Sequence, residues 1–311
     1  MKVLVTGANG FVGKWLCADL LARGHVVLGG VRSLTELADL GAEWRRQLEP
    51  VIWLEMDLEQ AEEIDAAVGQ GPEAVVHLAA VASGSQARDN PLQAWLVNCL
   101  GTCALLHCLE RRGLETRLLL VSTGEVYGAE LTRPATEADP VAPCSPYAAS
   151  KAAAELAVQE YSRRLLADTV IARLFPVVGP GQPETLVATA LARRIISAKQ
   201  SGLREIPVGN LAPVRELIDV RDASVALCLL LERGEPGGLY NVARGEGLPL
   251  ATVFDALVEL IGWSGVGVPE PGLFRRGDIP YLVGDGSRVA ALGWSPRYQW
   301  QATLQDLVAS L

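Results

Sequence analysis

Short runs dominated by Val, Leu and Ile alternate along the chain with longer stretches in which apolar residues recur at helical spacing. The runs at 2–6, 25–31, 51–56, 74–79, 117–122 and 168–174 are almost continuously apolar. Strands with apolar residues on both faces belong to a parallel sheet covered by helices on each side. Between them, 13–22, 92–112 and 147–166 have the length and periodicity of helices. This alternation predicts an α/β fold with a doubly wound parallel sheet, right-handed crossovers and a ligand at the carboxyl ends of the strands.

After residue 174 the rhythm changes. Residues 175–184 are rich in Pro and Gly, 185–200 read as a helix, 214–220 as a strand and 222–232 as a helix. The tail, 248–311, adds a helix-like 252–261 and a loop rich in Gly and Pro. The pattern predicts two units: 1–174 with about 209–243, and a smaller one from about 175–208 with 244–311. A ligand crevice between them is expected.

Composition narrows the function. The chain has 311 residues, half of them apolar and 20% charged, with a net charge of −9. Its basic residues are scattered or paired and never form a long run, so no footprint for nucleic acid or an anionic membrane is present. No uninterrupted apolar run reaches the roughly 18–20 residues of a membrane span. Six cysteines lack any CxxC pair and sit in apolar stretches, and the three histidines have no spacing that suits a metal. A cytoplasmic, metal-free protein without nucleic-acid or membrane partners is expected.

Gly7-Ala-Asn9-Gly10-Phe11-Val12-Gly13 follows the first apolar run and opens the first helix. Such a turn lets backbone bend tightly and approach a pyrophosphate, while the helix N-terminus offers free N–H groups to the phosphates. The position, between strand and helix, is the context that separates a dinucleotide site from an ordinary tight turn. The larger unit is therefore expected to be a Rossmann-type dinucleotide-binding domain. An NAD site usually carries an acid at the end of the second strand. Here that strand ends Val31-Arg32-Ser33, without a carboxylate. Arg32 and Ser33 suit a 2′-phosphate, which predicts NADP(H) as the preferred cofactor, with NAD(H) possible.

Tyr147-Ala-Ala-Ser-Lys151 places a phenol and an ammonium on one helix face. The Lys charge, with that of an oxidised nicotinamide, is expected to favour the phenolate and lower the phenol toward working pH, and Tyr147 to act as the general acid. With the glycine spacing, this motif resembles the extended branch of the short-chain dehydrogenase/reductase superfamily, the NAD-dependent epimerase/dehydratase family, whose members act on nucleotide sugars. The resemblance implies that Asp57-Leu58 touch the adenine and that His77-Leu78-Ala79-Ala80 run beneath the cofactor. It implies that Asn98 braces the site, that Phe175 joins the cofactor set, and that Lys151 binds the nicotinamide ribose. In Ser122-Thr123-Gly124-Glu125-Val126-Tyr127-Gly128 it makes Thr123 the hydroxyl that bonds the reacting oxygen. Ser83, Gly84 and Ser85 would border the sugar. Helices from 92–112 and 147–166 would form a four-helix homodimer interface, although core packing explains their apolar residues equally well.

Three reactions remain open within that branch. Dehydratases of the branch carry a base at the position of Glu125, and some carry an acid just before it; here Gly124 has no proton to give. The second half, from Val208 through Asp222 and from Leu239 to Ala243, looks most like the GDP-4-keto-6-deoxy-mannose reductases, in which the first Arg of that stretch, here Arg215, grips the diphosphate. Two residues depart from the pattern: Glu216 replaces a more usual Asp, and Pro176 an Asn that contacts substrate. The expectation is an NADPH-dependent reductase of the C4 ketone of a 4-keto-6-deoxy sugar nucleotide. A nucleotide-sugar 4-epimerase, a 4,6-dehydratase and, more remotely, a non-catalytic dinucleotide sensor are the alternatives.

Overall fold

The computed structural model describes every residue of the 311 except Ser83, Leu166, Arg275 and Arg276. Its frame is a seven-stranded parallel sheet. The strands are β1 (Lys2–Thr6), β2 (Val26–Val31), β3 (Ile52–Glu55), β4 (Ala74–His77), β5 (Arg117–Thr123), β6 (Thr169–Leu174) and β7 (Gly238–Val242). Their spatial order is β7-β6-β5-β4-β1-β2-β3, with every neighbouring pair parallel. The order reverses between β1 and β4, and that switch point is where a doubly wound sheet opens a crevice for ligand. The apolar runs become strands because both faces are covered: Leu4, Val5, Val75, Val76, Leu119 and Leu120 are all fully buried.

Helices α1 (Phe11–Ala22) and α6 (Val220–Arg233) cover one face of the sheet. Helices α2 (Ala61–Val68), α3 (Gly101–Arg111) and α4 (Pro146–Leu165) cover the other. The smaller hydrophobic cluster is built by α5 (Val187–Gln200), α7 (Leu250–Ile261) and α8 (Trp300–Ala309). From the tail, Ile279, Leu282, Val289 and Trp294 return to pack on the cluster that holds β1 and α1.

Several elements differ from the sequence pattern. The expected strand at 214–220 is two fragments in different small sheets: Val214–Arg215 lies between Leu248–Pro249 and Tyr281–Leu282, whereas Ile218–Asp219 pairs with Val177–Val178. Buried Glu216 and Leu217 turn the chain from one to the other. β7 lies outside the six apolar runs because Gly238, Tyr240 and Asn241 dilute its hydrophobic pattern. The helix expected at 92–112 begins at Pro91 and is interrupted by a π-helical turn over Leu96–Leu100. By length and mean hydropathy (1.4), the stretch Pro91–Arg111 could cross a membrane, contrary to the expectation from uninterrupted runs; 44% of its most apolar window is buried inside the fold.

Candidate active site

The site grows from the switch point. Thr6 and His77 are register partners on β1 and β4. The Thr6 hydroxyl accepts from the amides of Leu78 (3.1 Å) and Ala79 (2.9 Å), so its own proton goes to Nδ1 of His77 at 2.9 Å. Nε2 of His77 then donates to Thr102 Oγ1 (3.0 Å), and Thr102 donates to the carbonyl of Asn98 (2.6 Å). Burial, reinforced by the Lys151 charge, lowers the His77 imidazole to about 3, so it stays neutral and keeps that order of donors.

Asn98 lies in the π-helical turn, a distortion frequently found at functional sites. Its Oδ1 accepts from the amide of Val81 (2.7 Å), and its Nδ2 donates to Ser150 Oγ (2.9 Å). Ser150 in turn donates to the carbonyl of Tyr147 (2.8 Å). One hydrogen-bonded chain thus ties the end of β1 to the first turn of α4, where Tyr147 and Lys151 sit.

Tyr147 is half-buried, and Lys151 is 2% exposed. Burial lowers the Lys151 ammonium to about 8, and the Glu155 carboxylate opposes that shift. The Tyr147 phenol is pushed well above its ordinary value by burial and by the Glu125 carboxylate, while a hydrogen bond with Thr123 pulls it back. This differs from the expectation that the Lys charge would lower it. With burial and Glu125 prevailing, the phenol holds its proton. Thr123 Oγ1 accepts from the amide of Glu125 (3.2 Å), which turns the hydroxyl proton away from the backbone.

Beneath these groups lies a buried ion pair. Arg173 donates through Nη2 to Glu155 Oε2 (2.7 Å) and through Nε to Oε1 (3.1 Å), and Ser122 Oγ also donates to Oε1. The Arg173 guanidinium stands 4.6 Å over the Tyr127 ring, whose hydroxyl donates to Asn241 Oδ1. Phe175 stacks on Tyr127 and is 2% exposed. A Cβ on Gly124 would come within 2.7 Å of its ring. The Phe175 ring therefore fills the space beside Gly124 instead of lining the cleft.

The glycine turn fits a pyrophosphate cradle. Gly7 has φ +68°, and a Cβ there would sit 3.0 Å from Ala79 Cα; one on Gly13 would strike the Gly7 carbonyl at 2.2 Å. Phe11 and Val12 open α1, so their amides belong to the unpaired first turn of that helix. Leu78, Ala79 and Ala80 leave the end of β4 toward the cleft, half-buried. Asp57 lies just past β3, where its Oδ1 caps the Glu59 amide, and Leu58 is buried against Gly101.

The end of β2 holds a residue that the sequence pattern missed. Ser33 caps a short 3₁₀ helix, Leu34–Asp39, which folds Glu36 back over the turn. Glu36 Oε1 accepts from Arg32 Nη2 (2.6 Å) and Nε (2.9 Å), and its Oε2 accepts from Asn9 Nδ2 (2.9 Å). A carboxylate is therefore present at the end of β2 after all, supplied from the following turn. Its signal was the i,i+4 spacing of Arg32 and Glu36.

Arg215 is half-buried and pairs with Asp278 at 2.7 Å, a partner from the tail that no motif had marked. The Cys144 thiol, three residues before Tyr147, donates to the Gly277 carbonyl of the tail (3.6 Å) and is pushed up by burial and by the neighbouring Glu125 and Asp278 carboxylates. Pro176 gives its carbonyl to the Ile218 amide. Ser85 opens the short helix Gly84–Asp89; Ser83 lies outside the described residues.

Residues 3–243 match the NAD dependent epimerase/dehydratase family. The chain belongs to that family. It is 31% identical to GDP-6-deoxy-D-mannose reductase of Pseudomonas aeruginosa, over 99% of this chain and 96% of that one. Among solved structures it resembles UDP-glucose 4-epimerase of Thermus thermophilus in complex with NAD (TM-score 0.88, 31% identity, 100% and 98% of the two chains). It also resembles RMD of Pseudomonas aeruginosa complexed with NADPH (TM-score 0.83, 29% identity, 99% and 98%). This family member is thus a nucleotide-sugar-modifying enzyme with a Rossmann-type sheet and a nicotinamide dinucleotide cofactor.

Proposed function

We propose that the enzyme reduces the C4 ketone of a GDP-linked 4-keto-6-deoxy sugar nucleotide, with NADP(H) preferred and NAD(H) accepted. The cofactor would lie on Gly7, Asn9, Gly10, Phe11, Val12 and Gly13, with Arg32 and Ser33 at the adenosine ribose and Asp57 and Leu58 at the adenine. Leu78, Ala79, Ala80, Asn98 and the Phe175 backbone would complete the bed. When bound, the nicotinamide supplies the hydride. The residues of the chain do the rest: Thr123 donates a hydrogen bond to the ketone oxygen, and Tyr147 delivers the proton to it. Lys151 holds the nicotinamide ribose, and the domain formed by 175–208 with 244–311 closes on the sugar nucleotide. Ser85, Gly124, Glu125 and Pro176 would border the sugar, and Arg215 the diphosphate.

What supports reduction is the Tyr147 phenol hydrogen-bonded to Thr123 and one helical turn from Lys151, a proton donor placed where a ketone becoming an alcohol must receive one, with burial and the Glu125 carboxylate pushing that phenol up. The Phe175 ring against Gly124 weighs against a dehydratase that uses an acid at that position. The test is to form GDP-4-keto-6-deoxy-mannose in situ and follow the loss of reduced nicotinamide absorbance with NADPH or NADH. Rapid loss supports the reading; no loss there or with thymidine- and uridine-linked keto sugars rejects it.

A second reading, nucleotide-sugar 4-epimerase, is favoured by Glu36, a carboxylate where an NAD ribose would seek one. An epimerase would carry tightly held NAD through purification and interconvert the C4 epimers of a sugar nucleotide without added cofactor.

A further inference from the structure

The end of β2 holds two opposite instructions. The Arg32 guanidinium, 73% exposed, suits a 2′-phosphate; the Glu36 carboxylate, gripped by that same guanidinium, suits a 2′-hydroxyl. Glu36 is not a stray surface acid, because its second oxygen is tied to Asn9 inside the glycine turn. Burial pushes its carboxyl up, but the bonds from Asn9 and Arg32 outweigh that and hold it below its ordinary value, so it is ionised at neutral pH. Glu55, at the end of β3, adds a second carboxylate alongside, accepting from the amide of Leu34 (3.1 Å).

We propose that Glu36 is the residue that sets the choice between NADH and NADPH, by competing with the 2′-phosphate for Arg32 and by accepting from the 2′-hydroxyl when the phosphate is absent. The inference rests on the dinucleotide reading of the glycine turn and goes beyond it. With NADPH, the guanidinium must turn from the carboxylate to the phosphate, and the two anions face each other across Asn9. With NADH, the Arg32–Glu36 pair stays intact and its carboxylate has a hydroxyl proton to accept. The preference that Arg32 alone would give to NADPH is thereby reduced, and both cofactors bind.

The test is fluorescence titration of NADH and NADPH, without sugar nucleotide, into wild type, Glu36→Gln, Arg32→Ala and the double variant. Gln keeps the shape and the contact with Asn9, and the site is at the surface, so folding is not at stake. Glu36→Gln is expected to tighten NADPH about tenfold and to weaken NADH severalfold, in the range of one charge-assisted hydrogen bond. Adding Arg32→Ala should erase the gain for NADPH. A ratio of the two dissociation constants unchanged in Glu36→Gln overturns the proposal, as does a gain that survives the loss of Arg32. If wild type binds neither dinucleotide, the cofactor reading itself fails and this proposal with it. Binding of both with an unmoved ratio removes only the role of Glu36.

Discussion

Glu155 lies one helical turn beyond Lys151 and closes a buried ion pair with Arg173 at 2.7 Å, both side chains 3% exposed. A carboxylate so placed does more than neutralise an arginine, because its charge also supports the ammonium of Lys151 against the pull of burial. Glu155→Gln should therefore drop Lys151 below its present value of about 8 and move the alkaline limb of kcat/KM to lower pH. Leaving Arg173 buried and unpaired would also destabilise the fold by roughly 3–5 kcal/mol. Glu155→Gln with Arg173→Met removes the stranded charge, so part of the stability should return while the limb stays displaced. A limb that does not move would show that Glu155 is a packing residue alone.

Tyr147→Phe removes the proton donor and leaves the ring. Turnover should fall by about 10²- to 10⁴-fold, the usual contribution of a positioned acid, while dinucleotide affinity changes little. Steady-state rates and cofactor titration on the same preparation check this. Activity close to wild type would exclude Tyr147 as the acid.

The parts of this architecture that the sequence makes legible are those governed by local rules. Six of the seven sheet strands read as apolar runs because both faces are buried, and the glycine turn reads through its place between β1 and α1. Lys151 and Tyr147 share a face because helical spacing puts them there. What stayed hidden depends on the folded path of the chain. Glu36 meets Asn9 only because a 3₁₀ turn follows Ser33, and Arg215 meets Asp278 across 63 residues. Phe175 belongs with the expected cofactor set by position, yet its ring packs against Gly124 and Gly284, a contact that no periodicity encodes. Asn98 was singled out, but not the π-helical turn that carries it.

Glu216 predicts a pH dependence of stability. It is fully buried, with Oε2 accepting from the amides of Arg244 (2.9 Å) and Gly245 (3.0 Å), and the Gly284 amide also bonds the carboxyl. Burial prevails over those bonds and raises the carboxyl to about 8 from an ordinary 4.5. Because the folded value lies above the unfolded one, the stabilising effect of the bound proton is complete below about 4.5 and is lost as pH rises through about 8. The melting temperature should thus fall between pH 6 and pH 9, and Glu216→Gln should flatten that part of the fall. Parallel curves for the two proteins would mean that Glu216 does not titrate in this range.

The last prediction concerns assembly. Leu92, Trp95 and Leu100, on the stretch leading into α3, and Leu156 on α4 expose between 40% and 67% of their surface. The two helical segments pack against each other, and each carries exposed apolar side chains. Soluble monomers rarely leave such surface bare, and a two-fold axis through it would bury each residue twice. A homodimer through these segments is proposed, with wild type running in light scattering at twice its 33.1 kDa chain mass. Leu156→Arg places two like charges near the axis and should give a monomer that keeps the wild-type circular dichroism, since Leu156 is 67% exposed. A wild type that is monomeric at micromolar concentration, or a dimer untouched by Leu156→Arg, would move the interface elsewhere or remove it.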